Sequence, residues 1–193
     1  AALQDATGLG GLIAVLSGGL AVHVDEFRGP ERPLGRAFPA HATSLGKAIL
    51  AELPPDEREA ALGEIVLAPW TARTIVDREA LLDDLRVAEE RGYALEDAEF
   101  HEARRSIGAA VRDHTGSVVA AVGVGNTPSR LPDEAIAEVA AAVVEAAGEI
   151  SRRLGAGTLP QLPPWRPVVE VKFVMEPPLE VRATSAVEDP PAK

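Results

Sequence analysis

The strongest constraint on this fold is a pair of strand-like runs, residues 105–112 and 117–125, joined only by Asp113-His114-Thr115-Gly116. A parallel pair needs a crossover of a dozen or more residues, so a link this short makes the pair antiparallel. A second hairpin lies near the start of the chain. Leu12 to Leu16 is apolar, Ser17-Gly18-Gly19 supplies a turn, and Leu20, Val22 and Val24 then alternate with Ala21, His23 and Asp25. Strands that follow one another through tight turns favour an antiparallel sheet with helices packed on it.

Helical periodicity fills much of the remainder. Leu45, Ala48, Ile49 and Leu53 place a helix over residues 42–53, stopped by Pro54-Pro55. Pro55 suits the first turn of a short helix to about Leu62. Asp77 is an N-cap for a helix over residues 78–91, with Leu81, Leu85 and Ala88 as its stripe and Gly92 as its stop. Tyr93 to Glu96 reads as a strand, and Pro33 to Phe38 as a shorter one after the break at Gly29-Pro30. A long final helix runs from about Pro132 to Leu154, with Ile136, Val139, Val143, Ala147, Ile150 and Leu154 on one face.

Residues 158–193 differ in composition and hold eight of the sixteen prolines. The expected organisation is one domain over residues 1–156 and a Pro-rich, flexible tail over 157–193. Within the tail, Val169, Val171 and Phe173 alternate with charged residues, which is also a strand pattern.

The chain of 193 residues is 46% hydrophobic and 25% charged, with a net charge of −11. Such a surface argues against autonomous binding to nucleic acid or to an anionic membrane. The longest apolar run, residues 11–22, is too short and too interrupted to span a bilayer. No cysteine is present, so disulfides and thiolate sites are excluded, and a reducing, cytoplasmic setting fits.

One stretch links the pattern to a known family. His41-Ala42-Thr43-Ser44-Leu45-Gly46-Lys47-Ala48-Ile49-Leu50 is followed by Arg91-Gly92-Tyr93-Ala94 with Glu96-Asp97-Ala98-Glu99. Arg105-Ser106-Ile107, then Val111-Arg112-Asp113 with Gly116 and Val118, and Ser129-Arg130-Leu131 come next. In order and spacing, residues 1–155 resemble the ligand-sensing half of the IclR family of bacterial transcription factors. The resemblance implies a GAF-like α+β domain, an antiparallel sheet with flanking helices. It implies a sensor of small organic acids that forms a homodimer or homotetramer and reaches DNA only through a helix-turn-helix domain upstream. No cofactor and no enzymatic activity are implied. Carried over position by position, the effector contacts are Ser44, Leu45, Gly46, Glu96, Ser106, Gly123 and Gly125. Relatives often have a small residue at the position of Leu45, and some have hydroxyls at those of Gly123 and Gly125 and Cys at that of Ser106. The pocket here is therefore expected to be roomier, with a more apolar wall.

The residues themselves leave alternatives open. Thr43 and Ser44 at a helix start supply donors that suit a carboxylate, or else they simply cap the helix. Glu96 reads more readily as a solvated strand-end carboxylate than as a ligand contact. Gly123-Val124-Gly125 lets either backbone or ligand approach a strand closely. His41 reads as a helix-entry residue bonded to backbone, and His114 as a turn residue. His101 with Glu99 and Glu102 is a poor metal set, and no metal is expected. Two rival functions remain. One is a small hydrolase or isomerase using His41, Ser44, Glu96 and Asp97. The other is a stand-alone ligand sensor.

Overall fold

The structure is a computed structural model that describes residues 2–27 and 35–157, all within one compact unit, Ala1–Pro163. Its elements are α1 (Ala2–Thr7), β1 (Gly11–Ser17), β2 (Leu20–Phe27), β3 (Ala37–Pro39), a 3-10 turn (Ala40–Ala42), α2 (Ser44–Glu52) and α3 (Pro55–Gly63). Then follow α4 (Arg78–Arg91), β4 (Ala94–Asp97), β5 (Arg105–Arg112), β6 (Val118–Asn126), a second 3-10 turn (Asp133–Ala135) and α5 (Ile136–Arg153). The six strands form one antiparallel sheet in the order β3-β2-β1-β6-β5-β4. This is the expected α+β class.

The local signals act as read. Gly18 and Gly19 turn the first hairpin with φ of 55° and 72°, a region costly for other residues. Asp77 caps α4 by accepting from Ala80 N at 2.9 Å, and Gly92 ends the helix at φ 78°. α1 escaped the sequence reading; six residues are too few for a periodic signal, and its Leu3 is held by tertiary packing. β3 is shorter than the expected 33–38, and residues 33 and 34 lie outside the described ones. The expected tail and the alternation at residues 169–173 also lie outside them.

The sheet separates two cores. On one face Leu12, Ala14, Ala94 and Ala121 pack with Leu45, Ile49 and Leu50 of α2 and with Leu81 and Leu85 of α4. On the other, Ile107, Val111, Val122 and Val124 pack under Val139, Val143 and Ala147 of α5. The expected stripe of α5 is thus correct except at its end. Leu154 is exposed beyond the helix, and Ser151 is buried in its last turn. The Ser151 hydroxyl donates to Ala147 O and accepts from Arg112 N, which ties α5 to β5.

Candidate functional site

Period two and strand register decide what meets what. Glu96 pairs with Ser106 and Ser106 with Gly125, so β4, β5 and β6 place the three in one row. The next row is Ala94, Gly108, Gly123 and Leu12. Both rows face α2. The glycines explain how close α2 lies. A Cβ on Gly108 would stand 2.8 Å from Ser44 O, and one on Gly123 would stand 2.9 Å from Leu45 Cδ2. Gly123 therefore admits a helix, while Gly125 borders the space beyond the start of that helix, with Ser106 and Arg104 close beside it.

That space is a cavity of about 640 Å³. Ser44, Leu45, Glu96, Ser106, Gly123 and Gly125 line it, together with Phe38, Phe100, Arg36 and Arg104. Gly46 does not. It packs against the Ala40 backbone, where any Cβ would overlap the chain, so its missing side chain lets the helix seat there. One wall is aromatic. The rings of His23 and Phe38 lie 4.4 Å apart, Phe38 meets Phe100 edge-on at 5.3 Å, and Trp70 closes on Phe100 at 5.1 Å.

The start of α2 faces this cavity. Thr43 is its N-cap residue but does not cap it, because its hydroxyl donates backwards to Pro39 O at 3.0 Å. The first helical bond runs from Lys47 N to Thr43 O, leaving the N–H groups of Ser44, Leu45 and Gly46 ahead of the hydrogen-bonded ladder. Ser44 is itself buried.

Glu96 corrects the sequence reading. It is 1% exposed rather than solvated. Its Oε1 accepts from Glu99 N at 3.0 Å and Phe100 N at 3.3 Å, and its Oε2 accepts from Ser106 Oγ at 2.8 Å. Burial pushes its carboxyl above the ordinary value; the bonds from Ser106, Phe100 and Glu99 and the nearby Arg104 oppose that shift. Behind it, and missed in the sequence, Lys47 is fully buried between Glu99 Oε1 at 2.7 Å and Asp84 Oδ2 at 2.9 Å. Burial also raises the Glu99 carboxyl, against the pull of Lys47.

The four residues of a hydrolytic alternative do not converge. His41 lines a separate cavity of about 280 Å³, not the one that holds Ser44 and Glu96. Its Nε2 lies 3.2 Å from Ala68 O, the backbone bond expected of it, and burial holds its pKa below the usual value. Asp97 points to the opposite sheet face, where Arg105 Nε donates to it at 2.9 Å. Among the described residues no group of His, Asp or Glu is arranged to hold a metal ion, and no helix is long and apolar enough to cross a membrane.

Comparison with known proteins agrees with this architecture. The family model described as "Bacterial transcriptional regulator IclR C-terminal" matches residues 11–152. The HTH-type transcriptional regulator XynR of Escherichia coli is 31% identical over 140 residues, which is 70% of this chain and 56% of XynR. The chain thus spans little more than half of that relative. The crystal structure of Thermotoga maritima IclR superposes with a TM-score of 0.74 at 30% identity, over 79% of this chain and 64% of that one. The inducer-binding domain of the PobR transcription factor from Acinetobacter, a double mutant in complex with 3-hydroxybenzoic acid, gives a TM-score of 0.69 at 26% identity. That match covers 77% of this chain and 91% of that domain.

Proposed function

Because the chain belongs to the IclR family of bacterial transcriptional regulators and matches its C-terminal domain, we propose that it senses a small organic acid in the cavity beside α2. The relatives are regulators and the domain is regulatory rather than catalytic. The supporting observation is the cavity lining: an uncapped helix start, the guanidinium groups of Arg36 and Arg104, and an apolar wall of Leu45, Phe38 and Phe100. A helix N-terminus stabilises an anion by about 0.3–2 kcal/mol, so the apolar wall supplies most of the affinity. The volume suits an acid larger than two or three carbons.

In this reading the domain also assembles, as a homodimer or homotetramer, and acts in the cytoplasm on DNA through an attached helix-turn-helix region. Ligand shifts the balance between two assembly states by binding one better than the other.

The test is calorimetric titration with a panel of aliphatic and aromatic monocarboxylates. Gly125→Leu is too blunt a block, because a Cβ there would already stand 2.8 Å from Ser106 Cβ and 3.0 Å from Arg104 Nη2. Gly125→Ala adds that same Cβ and nothing more, so a local shift of β6 against β5 is expected with roughly tenfold or more weaker binding, and a thermal melt checks that the variant is folded. Undiminished affinity in that variant would place the ligand elsewhere.

A further inference from the structure

We propose that the effector carries a hydrogen-bond donor, a hydroxyl or an amine, in addition to its carboxylate, and that Glu96 with Ser106 selects for it. This rests on the acid-sensing reading above. Glu96 and Ser106 are register partners on β4 and β5, both buried and both lining the cavity. Every bond Glu96 makes to the described residues is one it accepts, from Glu99 N, Phe100 N and Ser106 Oγ. Ser106 Oγ gives its one proton to Glu96 Oε2. Bonded in this way, the pair keeps acceptor capacity and has no donor left: up to about two positions on the hydroxyl, and at least one more on a carboxylate that has about four.

A ligand group that buries those acceptors must satisfy them or forfeit their hydration. A methyl group or a bare ring edge does not satisfy them. A second carboxylate repels the first. A hydroxyl or an ammonium bridges the two oxygens. The cationic part of the lining, Arg36 and Arg104, with the start of α2, suits the effector's carboxylate. A molecule that satisfies both the acceptor pair and this cationic lining is a hydroxy or amino acid with an apolar body. Glu96 also anchors the loop after β4 through Glu99 N and Phe100 N. A purely structural role would leave ligand preference untouched, and this separates the two.

The full chain is titrated calorimetrically at about pH 8, where carboxylic acids are ordinarily ionised. The ligands are benzoate, its three hydroxy isomers, and the amino and fluoro analogues at the same positions, with butyrate and the hydroxybutyrates as a flexible series. Fluorine matches the hydroxyl in size and donates nothing. At least one donor-bearing acid is expected to bind on the order of tenfold or more tighter than its fluoro or unsubstituted counterpart. Glu96→Gln keeps an oxygen for the two backbone N–H groups and turns a donor into the cavity, so that ratio should fall to about one. Equal affinities across the series in the parent, or an undiminished ratio in Glu96→Gln, would overturn the proposal. The parent series decides by itself if the variant does not fold. If no acid binds the parent at all, the acid-sensing reading falls; if acids bind without preference, only the donor requirement falls.

Discussion

Lys47 is the only charged side chain between Ser44 and Ala51, and all eight of these residues are buried. Its ammonium is stabilised only because Glu99 and Asp84 close on it at 2.7 and 2.9 Å. Removing one member of a buried pair strands the other, at a cost of about 3–5 kcal/mol. Lys47→Met should therefore lower the urea midpoint steeply, and an unchanged midpoint would show that the site is wetter than its burial indicates. The buried carboxyls give a pH signature. Glu96 has a folded-state pKa raised by desolvation, so its stabilising contribution is complete below the ordinary value of 4.5 and is lost as pH rises through the raised one. Glu96→Gln removes that loss. The stability of the variant relative to the parent should be highest near neutral pH and should decline towards pH 4.5. Thermal melts of both proteins across that window give the check, and a gap that is flat with pH would contradict it. His41 runs the other way: its pKa is lowered by burial, so its contribution is present above 6.5 and lost as pH falls.

At the scale of elements, the seating of α2 on the sheet depends on backbone meeting backbone. Gly108→Ala would set a Cβ 2.8 Å from Ser44 O, and neither partner is a flexible side-chain end. Overpacking of this kind costs about 1–3 kcal/mol. It should also weaken acid binding, since the helix start moves with it; stability and affinity both at parental values would mean that α2 is loosely held. On the other face, Val143 of α5 is wholly buried against the sheet. Val143→Asp is expected to cost about 3 kcal/mol or more in urea unfolding, because an unpaired charge would enter a dry core. These two elements differ in how openly the sequence shows them. The α5 stripe repeats through five turns, and no tertiary contact is needed to read it. α2 has buried residues all round, so its periodicity says little about which side meets the sheet. A single lysine in an otherwise uncharged helix, residues 44–51, was the sign of the Lys47 network that the sequence held.

For the whole chain, the net charge of −11 argues against direct contact with DNA. Duplex affinity rests on cations that displace condensed counterions. The chain by itself should show no tight, salt-sensitive shift of duplex DNA in a gel, and a robust shift would refute the division of labour proposed here. The Pro-rich residues after 157 are proposed to be dispensable for acid binding. A chain ended there should titrate as the full one does, and lost affinity would make those residues part of the sensor.

The sequence alone determined the antiparallel class, both hairpins, the bounds of α4 and β5, and the apolar face of α5. Each of these is written in local periodicity, a turn residue or a cap, and needs no distant partner. The tertiary structure decided the site. Whether Glu96 is solvated or buried depends on α2 lying across Gly108 and Gly123, and that depends on pairings between strands far apart in sequence, such as Leu12 with Gly123. Whether Gly46 touches ligand or backbone depends on where the Ala40 turn sits. The charge partners of Lys47 come from α4 and from the residues after β4, 37 and 52 positions away along the chain. Burial changes the charge balance and bonding of these ordinary polar residues, and burial is a property of the packed whole that no single segment encodes.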